Sequence, residues 1–120
     1  MDIGTWLDTA ERRERVDKRM SALLRKDFGM GMLDYRALRA VAESEDGELR
    51  MQGLARKLGV NQSSITRMVP RLEERGYAYR DLCPEDSRGA YCVITEKGRG
   101  ACGEMTESLD RLLVEVDGDW

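Results

Sequence analysis

From Ile3 to Phe28 the apolar residues Ile3, Trp6, Leu7, Ala10, Val16, Met20, Leu23, Leu24 and Phe28 recur at helical spacing, with dense charge between them. That period predicts one long amphipathic helix. Gly29 and Gly31 interrupt it, and Tyr35, Leu38, Val41 and Ala42 resume it on a shorter helix near 33–43. The polar stretch from Glu43 to Gly47 has loop composition. Met51, Leu54, Ala55 and Leu58 then define one face of a short helix that Gly59 ends. Asn61 is placed to cap the next helix, whose buried stripe is Ile65, Met68, Val69 and Leu72. At about 100° per residue the opposite face holds Gln62, Ser63, Thr66, Arg67, Pro70, Arg71 and Glu74, and Gly76 closes the helix.

The pattern then changes. Tyr77 to Leu82 and Ala90 to Thr95 carry β-branched and aromatic residues on either side of the turn-rich Cys83-Pro84-Glu85-Asp86-Ser87-Arg88-Gly89, which predicts a hairpin with an exposed tip. From Glu96 to about Val116, Cys102, Met105, Leu109, Leu112 and Val116 are spaced alternately three and four apart, the seam of a coiled-coil-like helix. Helix, short turn, helix and hairpin follow the order of a winged helix-turn-helix, whose second helix enters the major groove of DNA. The expected fold is mainly α with a small β-hairpin wing, in one domain over residues 1–120. Within it, 1–32 form an N-terminal dimerisation helix and linker, 33–95 the winged helix-turn-helix, and 96–120 a C-terminal dimerisation helix.

The run Leu54-Ala55-Arg56-Lys57-Leu58-Gly59-Val60-Asn61-Gln62-Ser63-Ser64-Ile65-Thr66-Arg67-Met68-Val69, followed by Arg71-Leu72-Glu73-Glu74-Arg75-Gly76, resembles the MarR family of bacterial regulators. Asp86-Ser87-Arg88-Gly89 and Val93-Ile94-Thr95-Glu96-Lys97-Gly98 are similar to that family's wing signature. The match spans about residues 49–100. It implies a double-stranded DNA-binding transcriptional regulator, a ligand-responsive repressor acting as a homodimer on a palindromic operator. The helix starting near residue 61 is expected to read the major groove and the wing the minor groove.

Side-chain chemistry agrees with those roles. Gln62, Ser63, Thr66 and Arg67 offer amide, hydroxyl and guanidinium groups to base edges or phosphates, with Asn61, Ser64 and Arg71 in support. The resemblance assigns Arg88 to the minor groove, whose negative potential favours a guanidinium, and Asp86 to orienting it. Pro70 departs from a regular helix: it removes an amide donor and crowds the Thr66 carbonyl, so base contacts are expected to end near Arg67. Leu7, Met20, Met105, Leu109, Leu112 and Val116 are the expected dimer contacts. The family's members usually continue through another C-terminal helix, so a smaller or rearranged interface is expected here. The resemblance also implies a small-molecule effector, for which Met30, Met32, Tyr35 and Trp6 are candidate lining residues, although such residues at helical spacing are more often plain core.

Composition narrows the picture. Hydrophobic residues make up 41% and charged residues 36% of 120, enough for one core under a highly charged surface. There is no histidine, and Cys83, Cys92 and Cys102 form no C-x-x-C pair, so neither a structural metal, a disulfide framework nor a cofactor is expected. The absence of histidine also argues against enzymatic catalysis. Cys83, at the start of the wing tip, is the one candidate for redox sensing. No apolar run suggests a membrane span and the N-terminus lacks the order of a secretory signal, so a cytoplasmic location is expected. The net charge of −3 conceals an asymmetry: residues 50–100 carry ten basic against six acidic residues, and residues 101–120 one against six. Local positive potential, which phosphate binding requires, is available in the middle of the chain. The acidic end and the negative sum instead favour a second reading, a winged-helix module that dimerises or binds protein without DNA.

Overall fold

The computed structural model describes residues 1–82 and 89–116. Its elements run α1 (Ile3–Phe28), α2 (Met32–Glu43), β1 (Glu48–Arg50), α3 (Met51–Leu58), α4 (Gln62–Glu74), β2 (Ala78–Leu82), β3 (Ala90–Ile94) and α5 (Glu96–Val116). Every element predicted from the hydrophobic period is present. The addition is β1, which pairs antiparallel with β3, Leu49 opposite Cys92 and Arg50 opposite Tyr91. The hairpin therefore belongs to a three-stranded sheet of order β1-β3-β2. Three residues are too few for a period-two pattern to register, and what holds them extended is the open edge of β3 rather than their own sequence.

The chain divides into two compact units, residues 33–104 in one, and residues 1–32 with the chain from Met105 onward in the other. In the second, Asp2 caps α1 by accepting the Thr5 amide at 2.8 Å. Leu24, Met105, Leu109, Leu112 and Val116 are buried within this single chain, and Met20 is partly buried. Burial leaves the predicted seam of α5 little surface to offer a second copy. The exposed large apolar residues of this unit include Met1, Ile3, Trp6 and Leu7 at and near the start of α1 and Leu113 and Val114 on α5. No helix among the described residues is long and apolar enough to cross a membrane.

The unit of residues 33–104 is built on Leu38, Val41, Leu54, Ile65, Met68, Val69, Leu72 and Cys92, all essentially inaccessible. The stripe predicted for α4 is the stripe buried. Tyr35, a candidate ligand-lining residue, is also core, and Met30 in the other unit is buried as well. Ala90, Cys92 and Ile94 of β3 face the core, while on β2 only Ala78 is buried and the strand from Tyr79 to Leu82 runs out into solvent. The junction of α4 with the sheet is closed by Thr95. Its hydroxyl donates to Gly76 O at 2.6 Å and accepts the Gly98 amide at 2.9 Å, and its own amide donates to Tyr77 O at 3.0 Å. Gly98 must lack a side chain, because a Cβ there would lie 2.0 Å from Tyr77 O. The Thr-Glu-Lys-Gly stretch noted in the sequence is thus the clasp that fixes the hairpin's base against the end of α4.

Candidate nucleic-acid interface

The turn between α3 and α4 sets the reading helix. Gly59 adopts a left-handed φ of 71°, open to glycine at little cost, and the Val60 amide donates to Ala55 O at 3.1 Å, satisfying a carbonyl at the end of α3. Asn61 then caps α4. Its Oδ1 accepts the Ser64 amide at 2.8 Å and also the hydroxyls of Ser63 at 2.7 Å and Ser64 at 2.9 Å. Three donors on one oxygen hold the first turn as a unit, and in this arrangement the Ser63 hydroxyl is turned inward to the cap. Thr66 Oγ1 donates back to Gln62 O at 3.0 Å.

Gln62, Ser63, Thr66, Arg67, Pro70, Arg71 and Glu74 are all exposed, so the polar face inferred from periodicity is the solvent face of α4. The helix runs on through Pro70 to Glu74. Arg71, expected to support DNA contact, is engaged elsewhere. Its Nη2 lies 2.9 Å from Oδ1 of Asp34, a buried carboxylate in the first turn of α2. Arg36, also on α2, donates to Leu58 O at 3.4 Å. The helix-turn-helix is therefore tied to α2 at both members. Arg39 is held between Glu43, 2.8 Å away, and the Tyr35 hydroxyl, which accepts at 3.1 Å; the carboxylate raises its pKa above the ordinary arginine value.

Two arginines absent from the sequence-based site stand beside the first two turns of α4. Arg80 on β2 and Arg50 at the end of β1, just before α3, line a cleft with Gln62 and Thr66, and Gly89 completes the wall at the hairpin. Arg50 is positioned by Tyr91, its Nε donating to the phenolic oxygen at 3.0 Å with the guanidinium 5.5 Å from the ring centroid. Asp34, Arg50 and Arg80 were hidden for a common reason: each matters through a partner on another element. Arg88, Asp86 and Cys83 lie outside the described residues. Cys92 is fully buried; desolvation, with a smaller contribution from Glu73, pushes its thiol up to about 11.

Comparison with known proteins fits this geometry. A family model described as MarR family matches residues 28–89. The chain belongs to the MarR family. A MarR family transcriptional regulator from Streptomyces coelicolor, solved in complex with DNA, is similar at 27% identity and a TM-score of 0.86, over 96% of this chain and 72% of that one. The transcriptional regulator BldR from Sulfolobus solfataricus is 30% identical with a TM-score of 0.85, over 98% and 83% of the two chains. CouR from Rhodococcus jostii, solved with p-coumaroyl-CoA bound, is 28% identical with a TM-score of 0.76, over 93% and 76%. As a MarR family member the chain is a DNA-binding transcriptional regulator with the winged-helix fold of that family.

Proposed function

We propose that the chain acts in the cytoplasm as a homodimeric repressor that reads a palindromic operator, each copy placing the first two turns of α4 in the major groove. Gln62, Ser63, Thr66 and Arg67 supply the donors and acceptors, with Asn61 and Ser64 fixing the turn that presents them. Arg88, oriented by Asp86, serves the adjacent minor groove. The observation that carries this reading is the exposed polar face of Gln62, Ser63, Thr66 and Arg67 on the first two turns of α4, fixed by the Asn61 cap, with Arg71 beyond it paired to Asp34. The exposed Ile3, Trp6 and Leu7 offer apolar surface to a second copy. Release by a small-molecule effector is part of the reading, supported by CouR having been solved with the small molecule p-coumaroyl-CoA bound.

Electrophoretic mobility shift at two salt concentrations tests it. Binding to duplex DNA that weakens steeply as salt rises is expected, since displaced counterions drive the association. Absence of any shift at low salt, from a folded protein, would favour a module that binds protein instead.

A further inference from the structure

We infer that the cleft between α4 and the hairpin is a seat for one backbone phosphate of the DNA, gripped by Arg80 and Arg50. The inference rests on the DNA-binding reading above and specifies its sequence-independent part. Major and minor grooves are separated by a single sugar-phosphate strand. If α4 occupies one groove and the hairpin the next, that strand must pass across the gap between them. The gap is this cleft. Its lining includes two arginines, Gln62 and Thr66, and no acidic residue among the described residues.

Arg80 occupies a specific place. Across the sheet it is opposite Cys92, on the face of β2 shared with Ala78 and Leu82. Ala78 and Cys92 are buried, so this is the core-facing side, and Arg80 stands where the strand leaves the core. An arginine at that position can cover apolar surface with its stem while its planar head remains in solvent beside α4. Arg50 approaches from the α3 side with its guanidinium pre-set by Tyr91. A pre-set guanidinium loses less freedom on binding an oxyanion. Gly89 contributes no side chain to obstruct the strand.

Fluorescence anisotropy on the full chain tests the seat, using two probes: a random-sequence duplex pool and the duplex that the wild-type chain selects from it. Arg80→Ala is expected to weaken both by the same factor, about tenfold per copy and about a hundredfold for the dimer near 0.1 M salt. The slope of log affinity against log salt should shrink by about 1.8, about 0.9 for each of the two copies, and the selected sequence should not change. Arg80→Lys should restore the slope, because it restores the charge. Tyr91→Phe should weaken binding while leaving the slope intact, since Arg50 keeps its charge and loses only the phenolic oxygen that helps orient it. An Arg80→Ala protein that selects a different sequence would make Arg80 a base reader and overturn the seat. So would one whose affinity and slope match wild type on both probes. If the wild-type chain binds neither probe at low salt, the DNA reading itself fails, which is a distinct result.

Discussion

Removing either partner of the Asp34–Arg71 pair abolishes the same 2.9 Å contact, yet the two removals are not equivalent. The Asp34 side chain is 8% exposed and that of Arg71 is 55% exposed. Arg71→Ala leaves a desolvated carboxylate short of its cation. Breaking a fully buried pair this way costs roughly 3 to 5 kcal/mol, and solvent at the half-exposed arginine reduces that to about 2 kcal/mol. Asp34→Ala leaves an arginine that can rehydrate, and its cost is about 1 kcal/mol, one charged hydrogen bond in a partly screened setting. The double variant should therefore be about as stable as Asp34→Ala alone, giving a coupling near 2 kcal/mol. Urea denaturation of the four proteins at neutral pH measures this. Equal costs for the two single variants, or simple additivity in the double, would refute the placement of Arg71 as a tie to α2. On DNA, Arg71→Ala should leave base preference intact, and relaxation as large as that of Arg67→Ala would refute the placement a second way.

Three further outcomes are expected. Gly98→Ala sets a methyl 2.0 Å from Tyr77 O and should destabilise the winged unit by about 3 kcal/mol in thermal or urea melts, at the upper end for overpacking. Asn61→Ala removes the oxygen shared by three donors and should cost about 1 kcal/mol, with a loss of DNA affinity larger than that of Thr66→Ala because the whole first turn loosens. The Cys92 thiol, pushed up to about 11, holds its proton more tightly in the folded than in the unfolded chain. Its stabilising contribution is therefore complete below about pH 9 and is lost as pH rises toward 11, so the stability difference between wild type and Cys92→Ala should fall by roughly 2 to 3 kcal/mol across that window.

The sequence revealed most where a single element states its own rule. The stripe Ile65, Met68, Val69 and Leu72 named the buried side of α4, and Asn61 named its start, because periodicity and capping are local properties. Strand β1 escaped because three residues cannot display a period and their pairing is decided by β3. Arg71 lies on the polar side of the helical wheel, which marks it only as support for DNA contact; the carboxylate it pairs with sits on α2, far away in sequence. Along the sequence Arg50 and Arg80 show nothing beyond their positive charge. Their convergence on one cleft follows from sheet register and from the turn between α3 and α4, neither of which a linear pattern displays. The seam of α5 posed the opposite difficulty, since the same spacing serves packing within a chain and packing between chains. Here the chain itself buries those residues.

Selection of bound duplexes from a random pool by the wild-type chain, repeated with Arg67→Ala, examines the reading helix most directly. An enriched palindrome with half-sites about one helical turn apart is predicted for the wild type, with the preference relaxed at matching positions of both half-sites in the variant. Enrichment of no sequence by the wild type, or an unchanged preference in Arg67→Ala, would contradict the assignment of base reading to the first two turns of α4.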